Sequence, residues 1–296
     1  MTYKASLPCT AAEARALAVD IGPFAALDLP PALVTSEAAG GGWRLDAYFE
    51  RKPGRADLAA LAALAPGSGE APQVERLDDA DWLTLSQAGL EPIRAGRFFV
   101  HTPMHRGAAP DGAVAFEIDA GRAFGTGQHE TTTGCLIALD RLKMQGAVFG
   151  QIADIGTGTG LLAFAALSLW PSARAIASDI DPVAIAVAAE NAGVNGIPTG
   201  RGPRQCELAV AAGLDHRRLI VRAPYDLIIA NILAGPLIEL ARDIGVALAP
   251  GGRLILAGLL DRQARAVTRA YARQGLRPAD RIDRGEWPTL VLRKPR

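Results

Sequence analysis

The chain has 296 residues, of which 49% are hydrophobic, and its 31 basic and 31 acidic residues give a net charge of zero. The length exceeds the roughly 100–200 residues of a typical domain, so two domains are expected. Balanced charge gives no overall attraction to nucleic acid, and no apolar run approaches the roughly 20 residues that cross a bilayer. We therefore expect a cytoplasmic protein without nucleic-acid or membrane partners. A monomer is the expected oligomeric state.

The first 78 residues are typical of a small α+β module. A cap-like Thr10 opens one predicted helix, and a second predicted helix ends before Pro66. Strands are predicted on both sides of the glycine turn at residues 40–42 and again after the second helix. The predicted helices and strands span residues 10–19, 32–37, 43–50, 56–64 and 73–77. Any strand before Thr10 should be short, because Pro8 interrupts it.

Three cysteines, Cys9, Cys135 and Cys206, are scattered along the chain. Their odd number and the lack of C-x-x-C spacing indicate neither a disulfide framework nor a zinc site. We therefore expect free thiols and no metal.

A loop rich in glycine and threonine, at residues 123–132, precedes a predicted helix over residues 133–142. Two glycines permit unusual backbone angles, and the clustered hydroxyls suit the start of a helix. A lone histidine is more often structural, but His129 lies inside this loop together with Thr126 and Thr132. These three residues are therefore candidates for a binding site.

The next motif is a glycine-rich turn between an apolar strand and an apolar helix, at residues 154–160. Gly156, Gly158 and Gly160 alternate, and an acid lies two residues before the first of them. This spacing is typical of proteins that bind S-adenosylmethionine. A dinucleotide site needs G-x-G-x-x-G, and Leu161 occupies the position of its third glycine, which disfavours a flavin or NAD oxidoreductase.

A second acid follows the next predicted strand, at residues 175–178. Asp179 lies 23 residues after Gly156, close to the roughly 20-residue interval at which α/β nucleotide sites place a carboxylate on the ribose hydroxyls. The alternative is structural, because aspartate followed by proline, as in Asp181 and Pro182, commonly starts a helix. The two motifs in this order predict a bound S-adenosyl ligand.

Five arginines cluster in the connection that follows, interrupted by Glu207 and Asp215. The interruption favours a solvated face on a variable connection over a nucleic-acid-binding stripe. The arginines are Arg201, Arg204, Arg217, Arg218 and Arg222.

An apolar strand at residues 225–230 ends at Asn231. Open α/β sheets place their ligands at the carboxyl ends of strands, so Asn231 is a candidate for positioning an acceptor nitrogen. The alternative is that Asn231 caps a helix over residues 233–248. A strand at residues 253–256, a helix at 261–274 and strands at 276–282 and 287–292 complete a predicted doubly wound sheet.

Four of the sequence segments described above together resemble the ribosomal protein L11 methyltransferase family, also called protein methyltransferase A. The most specific of them is the loop with the pattern G-T-G-x-H-x-T-T, and the glycine motif alone would fit any class I methyltransferase. The segments are residues 123–132, 154–160, 179–182 and 230–234.

The resemblance implies an α/β fold with the Rossmann-like seven-stranded sheet of class I S-adenosylmethionine-dependent methyltransferases. It also implies a small N-terminal α+β (ferredoxin-like) domain that recognises the substrate. The domains would span residues 1–78 for substrate recognition, 79–110 for a linker region and 111–296 for catalysis. The implied activity is trimethylation of lysine or N-terminal amino groups of ribosomal protein L11. Carried over by motif, the cofactor contacts are Thr132, Gly156, Asp179 and Asn231.

Methyl transfer from a sulfonium requires alignment and a free lone pair on the acceptor rather than a strong base. The Asn231 carbonyl oxygen could accept hydrogens of the amine, and His129 is either a proton acceptor or part of a loop closing over the cofactor. Two alternatives stay open: a methyltransferase for another protein lysine or a small amine, and a catalytically silent S-adenosylmethionine-binding protein. The second is disfavoured because Asn231 and the loop at residues 125–132 are both present.

Overall fold

The computed structural model describes residues 2–17, 24, 31–38, 42–49, 51–77, 92–118 and 129–296. These residues belong to two compact units, residues 1–89 and residues 90–296. The domain boundaries after residues 78 and 110 stay predictions of the sequence.

The first unit has the element order β-α-β-β-α-β. Its four strands form one antiparallel sheet in the order β2-β3-β1-β4, which is a ferredoxin-like arrangement. The elements are β1 (Thr2–Cys9), α1 (Ala11–Leu17), β2 (Ala32–Ala38), β3 (Gly42–Phe49), α2 (Arg55–Leu64) and β4 (Gln73–Leu77).

The expectation of a short first strand is wrong, because β1 extends over eight residues and pairs with β3 from Tyr3 to Cys9. Pairing of β1 with β4 ends at Ser6. Pro8 therefore lies where β1 has a strand neighbour on one side only, and proline is tolerated at such an edge.

The sequence pattern at the start of α1 forms a capping box. The Thr10 hydroxyl accepts from the Glu13 N–H at 3.2 Å, and the Glu13 carboxylate accepts from the Thr10 N–H at 2.7 Å. Ala14 and Leu17 of this helix are buried in the same apolar cluster as Leu7 and Leu45 of the sheet.

The second unit contains a short three-stranded sheet in the order β5-β6-β7 and a large seven-stranded sheet. Its strands are β5 (Ile93–Ala95), β6 (Phe98–His101), β7 (Val114–Glu117), β8 (Gln151–Ile155), β9 (Arg174–Asp179), β10 (Cys206–Val210), β11 (Tyr225–Asn231), β12 (Leu248–Ala257), β13 (Arg277–Arg284) and β14 (Trp287–Arg293). Its helices are α3 (His129–Met144), α4 (Leu161–Leu169), α5 (Pro182–Val194), α6 (Arg217–Arg222), α7 (Ala234–Glu239), α8 (Ala241–Ala247) and α9 (Asp261–Ala272).

The large sheet has the strand order β10-β9-β8-β11-β12-β14-β13. Neighbours from β10 to β12 are parallel, and β14 is antiparallel to both β12 and β13. The strand order reverses at β8, which lies between β9 and β11. In an open α/β sheet such a switch point is where ligands bind, at the carboxyl ends of the strands.

The large sheet is buried on both faces, as expected of parallel strands covered by helices. Successive residues of β11 point to opposite sides: Leu227 and Ile229 pack in one apolar cluster, and Ile228 and Ala230 pack in the other. This double burial explains the nearly continuous apolar sequence of the strand.

Three of the clustered arginines have a structural role that the sequence did not indicate. Arg201, Arg218 and Arg222 each lie within 3.4 Å of a carboxylate oxygen of the buried Glu207 on β10. The interpretation as a solvated face is therefore incomplete, because these three cations neutralise one buried carboxylate.

All three cysteines are free and buried. The described residues contain no group of histidine, cysteine and acidic side chains that could hold a metal ion. Within the same residues, every helix is too short or too polar to traverse a bilayer.

Candidate functional site

The three motifs from the sequence meet at the carboxyl edge of the large sheet. Ile155 of β8 is in register with Ser178 of β9 and with Ala230 of β11. The next residue along each strand is Gly156, Asp179 or Asn231, so these three positions lie side by side at the switch point.

The turn after β8 needs its glycines. Gly156, Gly158 and Gly160 have φ values of +70°, +53° and +86°, a region that favours glycine. The N–H groups of Gly156 and Thr157 both donate to the Ser178 carbonyl, at 2.8 and 2.9 Å. A Cβ atom on Gly158 would meet no atom within 4 Å, so the backbone is exposed there to whatever ligand lies against the turn.

Asp154, the acid before the turn, is fully buried. Its Oδ2 accepts from the Thr157 hydroxyl at 2.6 Å and from the Ala163 N–H at 3.1 Å, which ties β8 to the start of α4. Burial raises the pKa of this carboxyl to about 7. Its Oδ1 is buried and has no hydrogen-bond partner among the described residues.

Asp179 contacts the same turn from β9. Its Oδ2 accepts from the Gly158 N–H at 2.9 Å, and its Oδ1 accepts from the Asp181 N–H at 3.1 Å. Asp181 then caps α5 by accepting from the Val183 N–H at 2.8 Å. The helix-cap role that the sequence offered as an alternative therefore belongs to Asp181, whereas Asp179 faces the glycine turn.

Asn231 ends β11 and is partly exposed. The following helix, α7, begins at Ala234 with Leu233 as its N-cap and without a side-chain capping hydrogen bond. The alternative role of Asn231 as a helix cap is therefore wrong. The helix predicted over residues 233–248 is also two shorter helices, which meet at Leu240.

Ile232 links the ends of three strands, a contact that sequence reasoning missed. A Cβ on Gly156 would lie 2.2 Å from the Ile232 Cγ2, and a Cβ on Gly258 would lie 2.4 Å from the Ile232 carbonyl oxygen. Gly258 follows β12 with φ +82°. Both glycines are needed for Ile232 to lie between them, and this packing fixes the backbone beside Asn231.

Asn191 is a second residue that the motifs did not reveal. It is buried on α5, and its Nδ2 donates to the Thr159 carbonyl at 3.1 Å. The contact supports the glycine turn, and an asparagine in a predicted alanine-rich helix was its only signal in the sequence.

The helix after the Gly/Thr loop starts earlier than predicted. Helix α3 begins at His129 rather than at residue 133, with Glu130 in its first turn, where a negative charge stabilises the helix. Thr132 is buried in that turn. Burial, and to a smaller degree the Asp154 carboxylate, raises the pKa of the Cys135 thiol, one turn further along. Cys135 belongs to the same buried cluster as Leu161 and Leu162, which follow the glycine turn. Thr126 and the side chain of His129 lie outside the described residues.

The chain is similar in sequence to ribosomal protein L11 methyltransferases. The family model "Ribosomal protein L11 methyltransferase (PrmA)" matches residues 30–295. A ribosomal protein L11 methyltransferase from Caulobacter sp. (strain K31) is 45% identical over 255 residues, which are 86% of this chain and 84% of the relative. Another from Brucella suis (strain ATCC 23445 / NCTC 10510) is 46% identical over 219 residues, 74% of each chain.

A solved structure shares the architecture. The crystal structure of a ribosomal protein L11 methylase from Lactobacillus delbrueckii subsp. bulgaricus matches with a TM-score of 0.59 at 26% identity, covering 70% of this chain and 99% of that one. The chain belongs to the ribosomal protein L11 methyltransferase family. The predicted class I methyltransferase fold is thereby confirmed.

As a member of this family, the protein is a methyltransferase whose cofactor is S-adenosylmethionine. The residues at the switch point fit that cofactor. The open face of Gly158 lets a ligand approach the backbone, and the partly exposed Asp179 carboxylate provides negative charge beside a cationic ligand.

Proposed function

We propose that this protein transfers methyl groups from S-adenosylmethionine to amino groups of ribosomal protein L11. The observation that carries the proposal is the alignment of Gly156, Asp179 and Asn231 at the switch point of the sheet, in a chain whose relatives are named for this reaction. Lysine side chains and the N-terminal amine are the proposed acceptors, with trimethylation as the proposed product.

The residue roles follow from the position of each residue. The glycine turn and the Asp179 carboxylate hold the adenosine part of the cofactor, with Thr132 on α3 and Thr126 in the loop before it completing the site. Asn231 contacts both the cofactor and the acceptor. The proposed cofactor contacts are Thr126, Thr132, Gly156, Gly158, Gly160, Asp179 and Asn231.

When bound, the cofactor supplies an electrophilic methyl group on a sulfonium. The chain must present a neutral amine, although a lysine in water has a pKa near 10.4. Desolvation beside a positive charge favours the neutral form. The Asn231 carbonyl oxygen then accepts an amine hydrogen and aims the lone pair, and alignment supplies most of the rate. His129 is proposed either to accept the released proton or to close the loop over the cofactor.

The N-terminal unit is proposed to hold the ribosomal protein while its amines reach the pocket. A ribosomal substrate also implies a cytoplasmic enzyme, and one copy of the chain carries all the proposed site residues, so a monomer is sufficient.

The test uses purified chain, labelled S-adenosylmethionine and purified ribosomal protein L11, followed by mass spectrometry of the product. Asn231→Ala should lower kcat by about 10- to 100-fold while changing cofactor affinity far less, because its contact matters most in the aligned transition state.

Asn195→Ala is the matched control. Asn195 bonds the backbone of Glu117 through both ends of its amide, at 2.7 and 2.8 Å, so its loss affects stability without touching the proposed site. Equal losses of kcat in the two variants would rule out a catalytic role for Asn231. Absence of label on the ribosomal protein, with label on a free lysine peptide, would favour a different substrate.

A further inference from the structure

Three arginines lie side by side across the last three strands of the large sheet. Arg253 of β12 is in register with Arg293 of β14, and Arg293 is in register with Arg277 of β13. Directly opposite residues of antiparallel strands project from the same face with Cβ atoms about 4.5–5.5 Å apart, and like charges there are destabilising. The sheet therefore carries a row of cations that repel one another.

Among the residues that the structure describes, none of these three arginines forms an ion pair with a carboxylate. Arg253 donates to the Gly251 carbonyl at 3.0 Å. Elsewhere in the sheet, by contrast, Glu207 forms ion pairs with three other arginines. A cluster of arginines can therefore be neutralised by a carboxylate of the same chain. Within the described part of the chain, the row on β12, β14 and β13 has no such carboxylate.

A cavity of about 290 Å³ opens beside the row, between α3 and the strands. Arg253 and Arg293 line it together with Arg141 of α3, which pairs with Asp280 at 3.0 Å. Three guanidinium groups against one carboxylate leave an excess of two positive charges. The floor of the cavity is apolar, formed by the buried side chains of Ala138, Leu142 and Val291.

This cavity is separate from the cofactor site. Arg141 lies nine residues after Thr132 on α3, about 14 Å along the helix axis. On β12, Arg253 lies four residues before Ala257, the residue in register with Asn231, which is about 13 Å along the strand.

We propose that this cavity binds a phosphate group, supplied by a free nucleotide or by the backbone of an RNA strand. The terminal phosphate of a nucleotide carries a charge of about −1.5 to −2 near neutral pH, which matches the excess of two cations. Each phosphodiester of an RNA backbone carries one negative charge, so two neighbouring phosphates would match the same excess. The planar guanidinium donates two parallel hydrogen bonds to phosphate oxygens, and the apolar floor accommodates the carbon skeleton next to the phosphate. A net charge of zero for the whole chain is compatible with this local excess of positive charge.

The experiment is calorimetric titration of the full chain with inorganic pyrophosphate, and separately with a ten-nucleotide single-stranded RNA, in phosphate-free buffer. The pocket variant R253Q/R293Q should bind pyrophosphate at least about tenfold more weakly than the unmodified chain. The control R217Q/R242Q removes the same two charges from exposed positions and should bind as the unmodified chain does.

The RNA titration distinguishes the two proposed sources of phosphate. RNA binding that pyrophosphate displaces, and that R253Q/R293Q loses, identifies the RNA backbone; pyrophosphate binding alone identifies a free nucleotide. Lack of saturable pyrophosphate binding by the unmodified chain, or equal weakening in both double variants, would overturn the proposal.

Folding is checked by the affinity for S-adenosylhomocysteine and by Tm. Removing two mutually repelling cations should leave Tm unchanged or higher. Arg293→Lys provides a second variant that keeps the charge and loses the planar fork. It should weaken pyrophosphate binding by a smaller factor than R253Q/R293Q, and an unchanged affinity in both variants would equally overturn the proposal.

Discussion

Asp179 uses both carboxylate oxygens on backbone N–H groups, those of Gly158 and Asp181. Each carboxylate oxygen has a second lone pair, so these bonds leave room for ribose hydroxyls. The residue can therefore shape the glycine turn and bind the cofactor at the same time.

Asp179→Ala should weaken S-adenosylmethionine binding by about 1–3 kcal/mol, because the Gly158 N–H and the ribose hydroxyls lose their acceptor. Calorimetric titration measures the change. Asp181→Ala is the neighbouring control: it removes a helix cap, costing about 1 kcal/mol of stability, and should leave cofactor affinity unchanged. Equal affinities of the two variants would remove Asp179 from the cofactor site.

The Asp154 carboxyl has a folded-state pKa of about 7, against 3.8 for the unperturbed group, because burial disfavours its charged form. The folded state therefore holds the proton more tightly than the unfolded state. The resulting stabilisation is fully present below the unfolded pKa and is lost as pH rises through the folded pKa.

Asp154→Asn should remove this pH dependence. Between pH 5 and pH 8 the cofactor-free unmodified chain should lose about 3 kcal/mol more unfolding free energy than the variant, since one pKa unit corresponds to about 1.4 kcal/mol. The amide keeps an oxygen for the Thr157 hydroxyl and the Ala163 N–H, so the comparison isolates the charge. Urea denaturation at both pH values provides the measurement, and parallel stability curves would contradict the assignment.

The ends of β8, β11 and β12 are linked through Ile232, which lies between Gly156 and Gly258. A displacement of the chain after β12 therefore reaches both the glycine turn and the backbone next to Asn231.

Gly258→Ala should destabilise the fold and lower kcat, because the new Cβ would lie 2.4 Å from the Ile232 carbonyl oxygen and 2.7 Å from its carbonyl carbon. Gly275→Ala is a matched control, with φ +80° against +82° and no atom within 4 Å of the new Cβ. It should cost about 1 kcal/mol from backbone strain alone and retain activity. Thermal denaturation and turnover of both variants test the idea, which fails if the two behave alike.

The sequence predicted those elements whose signals are local. Each of three site features is a pattern within one short segment, and the structure brings all three together. They are the glycine spacing at residues 156–160, the acid at Asp179 and the polar end of β11 at Asn231. The contact of Ile232 with Gly258 depends on the register between β11 and β12, which no local pattern specifies. The length of β1 was missed for the same reason, because it depends on pairing with β3 some forty residues later.

At the scale of the whole molecule, the two units have separate apolar cores. The core of the second unit includes β5 and β6, with Phe98 and Val100 buried in the same cluster as Leu136 and Leu139 of α3. Residues from 93 onwards therefore contribute to the stability of the methyltransferase fold.

A chain of residues 90–296 should fold and bind S-adenosylmethionine, methylate a free lysine peptide, and lose methylation of intact ribosomal protein L11. A chain of residues 111–296 should be less stable by at least about 3 kcal/mol, because removing a buried phenylalanine alone costs that much. Denaturation, cofactor titration and the two methylation assays distinguish these outcomes. Undiminished activity of residues 90–296 on the ribosomal protein would contradict the recognition role of the N-terminal unit.

The buried cysteine thiols can report local unfolding of the protein. Burial raises the pKa of Cys9, Cys135 and Cys206 above the ordinary thiol value, and only an accessible thiolate reacts readily with an alkylating reagent. Cys9 lies in the first unit and the other two lie in the second. The rate at which each cysteine gains mass in an alkylation time course therefore reports how often its own unit opens, without any introduced label.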